Sequence, residues 1–488
     1  MTNLNPSRRK FIQQSASSLA LLGVCGVTAA QTTTKLRLEW QQFKGTPQYT
    51  SFYNAIRSMR ANTNSSSPNS WQYWVNAHVN YCPHGIPYFL AWHRGYLYYF
   101  EKQLQQISGD SALMVPYWDY YSYATIPSEF TDPATGNPFY VQRTSTNVYK
   151  ALDLSPFAST VYNFQRGTTN AFEPKIESAP HNPVHDLIGG VMATMQSPQD
   201  PIFYLHHSNI DRLWHAWALP DGKGMPPSSD PYWSGSFRYS STLTISRVKT
   251  YYPPWLGYDY SNDHTPTSLP PQASAGKIIR TQAQMEPLSV RPPVVPLKLN
   301  PGRIVSATRR SVGGAVGVTL DERSISANIP LAPEDIQAIQ KAAVVAQASQ
   351  APVSPSDYQS LKVVLDNVQT LGNGKNGGYF YNIYLNLPAS GNSTAEIKKY
   401  FVGTIGPFEI EGASHHHGTA TLELPATEAL LNLDLNNLSN LFVSLVRVSG
   451  DRAPKGPVIA IQELRIELST EVPWDRNPPV RGAGDCYC

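Results

Sequence analysis

The sequence predicts a mainly helical domain followed by an all-β domain, and three observations carry that reading. Two long segments, "FLAWHRGYLYYFEKQLQQI" from Phe89 and "DPIFYLHHSNIDRLWHAW" from Asp200, repeat apolar residues at helical spacing. Beyond the middle of the chain, apolar and polar residues alternate instead, as in "FYNIYLNL", "LFVSLVRV" and "AIQELRIEL". Between the two textures, prolines recur from Pro253 to Pro301 and neither period persists.

The chain has 488 residues, too many for one ordinary core, so two or three domains are expected. Its formal charge is +3, with 15% charged residues and no Lys/Arg run, which argues against a nucleic-acid partner. The 41 prolines and 28 tyrosines point to long, irregular connections. At the N-terminus, "SRRKFIQQSASSLALLGVCGVTAA" combines Arg8 and Arg9, an apolar run from Leu19 to Val24, and small residues ending at Ala29 and Ala30. That pattern predicts export by the twin-arginine route, to the periplasm or outside the cell, with residues 1–30 as the signal. The apolar run is far short of the roughly 20 residues a membrane span needs, and no other stretch comes closer, so membrane insertion is not expected.

Each element follows from its own residues. In the first helical segment, Phe89, His93, Tyr96, Leu97 and Phe100 share one side, which buries His93 among aromatics. In the second, Phe203, His207, Ile210, Trp214 and Trp217 form an apolar face; His206 can be drawn onto a similar face with Ile210 and Leu213, so periodicity leaves the choice between the two open. In "HNPVH", His181 and His185 are four apart and would share a helix face, with Pro183 tolerable only in a first turn. "PEDIQAIQKAAVVAQASQ", Pro333 to Gln350, predicts a single helix. In "FYNIYLNL", Tyr381, Ile383, Leu385 and Leu387 should face one way and Asn382 and Asn386 the other, and several strands so spaced predict a β-sandwich.

The histidines are unevenly spread. Of 12, three lie at His78, His84 and His93, and a second group comprises His181, His185 and the pair His206 and His207. One buried histidine is ordinarily a hydrogen-bonded core residue, but six in two groups of three, counting one of the pair His206 and His207, are not accounted for that way. Three imidazoles per site suit zinc, copper or non-haem iron. "HNPVH" lacks the glutamate beside its first histidine that a zinc protease uses as base, which weakens a zinc hydrolase reading. All-nitrogen sites in a pair favour copper and dioxygen. Cysteine use fits: Cys25 leaves with the signal, Cys486 and Cys488 sit together in the final "GDCYC", and Cys82 has no evident disulfide partner.

The stretch from His84 through "FLAWHR" (Phe89–Arg94) to Leu97 and Glu101, and "DPIFYLHHSNID" (Asp200–Asp211), resemble the paired copper signatures of the tyrosinase, catechol oxidase and molluscan-type haemocyanin family. The resemblance implies a four-helix-bundle copper core with long loops, followed by the all-β C-terminal sandwich domain. It implies two copper ions, with O2 as co-substrate: the first held by His78, His84 and His93, the second by His181, His185 and His207, with His206 a neighbour. It further implies a thioether crosslink from Cys82 to His84, which would remove rotamer freedom from a ligand on a loop. The implied activity is ortho-hydroxylation of small monophenols such as L-tyrosine and oxidation of o-diphenols to o-quinones, as in melanin formation.

By the same resemblance Glu177 and Asn182 would hold a water that acts as base, and Thr194, thirteen before His207, would be a small gate residue. These favour monophenol hydroxylation over the alternative, a catechol oxidase; a haemocyanin-like oxygen carrier is less favoured for an exported single chain. Arg94, Asn209 and Asp211 read as groups behind the ligands that fix the scaffold. Tyr258 and Tyr260 in "WLGYDY" resemble the tyrosine motif that closes the catalytic domain, with Arg37 as a stacking partner. More loosely, the C-terminal segment resembles the domain that covers the copper site in plant-type polyphenol oxidases. The resulting division is 1–30 signal, 31–290 catalytic domain, 291–350 linker with a helix, and 351–488 shielding domain. A copper-delivery protein is a candidate partner, "ASHHHG" (His415–His417) is a loop or copper-loading patch, and the oligomeric state is not legible.

Overall fold

A computed structural model describes residues 34–471, apart from 169, 220–223, 272–290, 348–353, 355, 390–393 and 416–419. The signal read at 1–30, Cys486, Cys488, His416 and His417 lie outside the described residues. Two compact units emerge: one holds the described residues of Met1–His181 and Met195–Pro270, the other those of Asn182–Thr194 and Pro271–Arg476. The short segment carrying His185 therefore sorts with the C-terminal residues.

In the first unit, helices α1 (Gln48–Ala61), α2 (Trp71–Tyr81), α3 (Phe89–Ser108) and α6 (Ile202–Ala218) pack together, with the short α4 (Phe172–Ile176) beside them. Helix α3 buries the expected Phe89, His93, Tyr96, Leu97 and Phe100, and from Phe89 to Leu97 it is buried at every position. Helix α6 is buried at all 17 positions, so its periodicity could not single out one inward face. Aromatic rings fill the space between them: Phe100 stacks on Tyr204 at 3.6 Å, and Tyr204 on Tyr96 at 6.0 Å. Each such side chain stabilises the unit by roughly 1.5–3 kcal/mol relative to exposure.

A buried charge network locks α3 to α6 and to the parallel pair β1 (Lys35–Arg37) and β2 (Tyr258–Tyr260). Arg94 Nε donates to Asp211 Oδ1 at 2.6 Å, and the Tyr258 and Tyr260 hydroxyls donate to Asp211 Oδ2 at 2.6 and 2.5 Å. Arg37 donates to Glu101 at 2.9 Å and lies over the Tyr258 ring at 3.7 Å. Burial works against ionising Asp211, yet the Arg94 and Arg37 guanidiniums outweigh it and hold the carboxyl below its ordinary value. Asn209 accepts from Arg212 Nε at 2.8 Å, within its own helix.

The second unit comprises α5 (Asn182–Ile188) and a β-rich region. Its strands are β3 (Lys298–Asn300), β4 (Arg303–Ser306), β5 (Arg309–Leu320), β6 (Ile325–Pro330), β7 (Ser360–Thr370), β8 (Tyr379–Leu385), β9 (Phe401–Ile405), β10 (Ala420–Pro425), β11 (Asn440–Ser449) and β12 (Ile459–Ser469). One antiparallel sheet runs β9-β8-β11-β6; the other runs β10-β7-β12-β5-β3, with β4 also on β5. A single apolar core draws on both, joining Ile329, Ile383 and Val443 to Val363, Leu464 and Val318, with Ile339 of helix α7 (Pro333–Gln347) added.

Two sequence expectations need correction. Residues 291–350, read as a linker with one helix, also carry strands β3 to β6. In "RRSVGGAVGVTL" the paired glycines and short side chains hide the alternation: a Cβ on Gly314 would meet the Arg465 Cα at 2.9 Å, so close strand pairing demands glycine there. Leu387 does not continue the face of Tyr381, Ile383 and Leu385. Asn386 takes a left-handed φ of 52°, the strand stops at Leu385, and Leu387 joins Tyr384 and Ile397 in a separate cluster.

Candidate metal centre

Histidines gather at two places among the described residues. His78, His84 and His93 form one group with Cys82, and His181, His185, His206 and His207 another; within each group one donor atom per residue lies within 4.8 Å of all the others. All are buried except His84, which is half-buried.

The first group is assembled from two helices and the loop between them. His78 sits in the last turn of α2, Cys82 caps that helix, His84 follows in the loop, and His93 is one turn into α3. Ring centroids are 5.1 Å apart for His78 and His84, 5.6 Å for His84 and His93, and 5.7 Å for His78 and His93. Backbone carbonyls fix two tautomers. His78 Nδ1 faces the Met195 carbonyl at 2.8 Å and His93 Nδ1 faces the Phe89 carbonyl at 2.8 Å. A carbonyl only accepts, so Nδ1 must carry the proton and Nε2 keeps its lone pair for an ion.

The second group uses the same device once. His185 Nδ1 donates to the Met192 carbonyl at 2.7 Å, within the second unit. His181 precedes α5 as the end of the turn Glu177–His181, and Pro183 lies in the first turn of α5, where proline is tolerated. His181 Nε2 and His207 Nε2 approach to 3.3 Å. Two facing imidazole nitrogens that close suit a shared proton or cation. His206 stacks beside His181 at 5.2 Å and belongs to the same group, so both members of the pair reach this place.

Phenylalanines wall the site. Phe203, one turn before His207, touches the His207 ring at 4.2 Å and the His78 ring at 5.1 Å. Phe89 meets His181 edge-on at 4.5 Å, and His93 stacks on His207 at 4.1 Å. In the second unit, Phe408 of helix α8 (Pro407–Ser414) stacks on His185 at 4.0 Å with the rings 14° from parallel.

The remaining predicted residues sit as follows. Cys82 Sγ lies 3.6 Å from His84 Nε2 and 3.4 Å from His93 Nε2, and burial, then the Glu177 charge, pushes its thiol well up. Glu177 accepts from the Gly85 amide at 2.7 Å and pairs with Arg166 through its other oxygen. Asn182 opens α5. The Thr194 hydroxyl donates to the Val191 carbonyl at 2.9 Å, inside its own turn. Arg94, Asn209 and Asp211 belong to the scaffold network described above.

Sequence reasoning missed Glu173, Arg166, Asp186 and Phe408. Asp186 directly follows a ligand candidate, and that adjacency was the one available signal. Its Oδ1 accepts from the Phe408 amide at 2.9 Å, its carbonyl accepts from Gly378 at 2.6 Å, and burial together with Glu409 pushes its carboxyl well up.

Two buried clusters of imidazoles, three of them with Nδ1 committed to carbonyls, fit the donor set of a type-3 dicopper centre. The common central domain of tyrosinase matches residues 50–148 and 130–219, which span both clusters. The chain is 31% identical over 191 residues to a Streptomyces glaucescens tyrosinase, covering 69% of it and 30% of this chain. It is 33% identical over 184 residues to the Hahella sp. tyrosinase HcTyr1, but spans only 40% of that relative's length, using 30% of its own. The fold is similar to that of latent apple tyrosinase at 19% identity and a TM-score of 0.52, covering 91% of this chain and 99% of that one. The chain belongs to the tyrosinase family, and two copper ions are its cofactors.

Proposed function

We propose that this protein oxidises small phenols with O2, hydroxylating monophenols ortho to their oxygen and converting o-diphenols to o-quinones. The observation that carries the reading is the pair of buried imidazole groups. His78, His84 and His93 would hold one copper and His181, His185 and His207 the other, with His206 beside them. When bound, the copper pair supplies O2 binding and the transfer of oxygen and electrons. One monophenol and one O2 give an o-quinone and a water; two o-diphenols and one O2 give two o-quinones and two waters.

The chain's own residues do the rest. Carbonyls of Phe89, Met192 and Met195 hold the protons of three Nδ1 atoms and so aim each Nε2 inward. Phe89 and Phe203 exclude water from the rings they touch. Glu177, with Asn182, would hold the water that takes the phenol proton, and Thr194 leaves room for a ring to enter. Diphenol oxidation alone is the second reading, and one observation favours it: both Glu177 oxygens already have protein donors, Gly85 and Arg166.

Three further parts complete the reading. A Cys82–His84 thioether would fix the loop ligand, forming by loss of the thiol hydrogen and one ring hydrogen with two electrons passing to O2. The four-helix core is a copper-holding bundle, and the two-sheet region is a β-sandwich whose Phe408, stacked on His185, acts as the cover. Export by the twin-arginine route would carry the folded protein to the periplasm or beyond. The test is oxygen uptake by copper-loaded protein with L-tyrosine and with L-DOPA, before and after limited proteolysis. Uptake with both substrates, rising on proteolysis, is expected. Uptake with L-DOPA alone would establish the second reading, and no uptake with either would overturn both.

A further inference from the structure

The passage from Gly85 to Leu90 joins two ligands of one proposed copper, His84 and His93, and packs Tyr88 against Tyr232 at 4.5 Å and Phe89 against His181 at 4.5 Å. Gly85 has a left-handed φ of 68°, Tyr88 has one of 77°, and Tyr88 gives helix α3 no side-chain cap. The first amides of a helix need outside acceptors. For Leu90 in the helix, and for Gly85 in the loop before it, the acceptor comes from another part of the chain. Glu173 Oε1 accepts from the Leu90 amide at 3.3 Å, and Glu177 Oε1 accepts from the Gly85 amide at 2.7 Å.

The two carboxylates are four residues apart and buried, Glu173 completely and Glu177 to 3% exposure. Arg166 joins them, giving its backbone amide to Glu173 Oε2 at 3.3 Å and its guanidinium to Glu177 Oε2. A carboxylate at a helix N-terminus is favourable, but two buried together repel unless a cation stands between them.

We infer that Arg166, Glu173 and Glu177 form a clamp that positions the His84 loop and the start of the His93 helix for the first copper. Arg166 is the positioning residue, because its guanidinium holds the Glu177 carboxylate while its backbone amide meets Glu173. On this view Glu177 has a structural duty beside any part in proton removal. The inference rests on the copper reading above.

Copper binding to the full chain tests it, by counting ions per chain and by competition with a chelator of known affinity. Wild type should bind two coppers. Arg166→Gln should keep one at unchanged affinity and bind the other about 10–100-fold more weakly, the range for groups that orient ligands. Arg166→Lys, which keeps the charge, should recover most of that loss, and Glu173→Gln, which keeps an acceptor for Leu90, should fall between. Equal weakening of both coppers, or two coppers held as in wild type by Arg166→Gln, would overturn the clamp. Wild type that binds two coppers without oxidising phenols would sink the proposed activity and leave the clamp standing. Wild type that binds fewer than two would overturn both.

Discussion

The two histidine clusters are built in opposite ways. The first lies wholly in the helical unit: α2 and α3 supply His78 and His93, and a loop clamped from the 166–177 stretch supplies His84. The second borrows His185 from a seven-residue helix that sorts with the β-rich unit and carries Phe408 on its imidazole. The first cluster is thus a property of the core. In the second, His185 carries a ring of the C-terminal chain, Phe408, within its own unit.

The harshest break removes a ligand from each side. His93→Ala and His207→Ala should each abolish oxygen uptake and leave one copper per chain, read by metal analysis. Retained turnover in either would dismiss the six-histidine site.

A sharper comparison comes from Gly406. A Cβ there would collide with the Asp186 carboxylate, which receives the Phe408 amide. Gly406→Ala should cost about 1–3 kcal/mol by overpacking. It should also raise L-DOPA oxidation without protease while leaving His78, His84 and His93 undisturbed. Unchanged latency with unchanged protease resistance would mean that α8 is not the cover.

The last effect concerns pH. Burial raises the Glu173 carboxyl from 4.5 to about 7; Arg166 opposes the shift and Glu177 adds to it. The folded value exceeds the unfolded one, so this group's contribution is complete below pH 4.5 and is lost as pH rises to about 7. In copper-free protein the loss amounts to about 3 kcal/mol. Glu173→Gln should flatten the denaturation midpoint over that window, and an identical pH profile for both proteins would refute the assignment.

Much of this was legible in the residues, and for identifiable reasons. Helix α3 is buried all round from Phe89 to Leu97 but carries exposed positions beyond, so its spacing placed His93 on a buried face. Helix α6 is buried all round, so spacing could not separate His206 from His207, and both do reach the cluster. Strands β8, β11 and β12 carry bulky alternating side chains and announced themselves; β5 is built on Gly313, Gly314 and Gly317 and did not. The carbonyls of Met192 and Met195 are backbone groups that every residue possesses, and so is the Leu90 amide that the Glu173 carboxylate meets from 83 residues away. No residue type marks such a contact.

The stacked pair of Phe408 and His185 has a thermodynamic consequence. Linkage is reciprocal: whatever factor the ring would change in copper affinity at His185, copper would return as the same factor in the strength of that stack. If the ring strengthens binding, metallation tightens the stack and the apoprotein holds it more loosely. If it weakens binding, each ion that arrives loosens that stack.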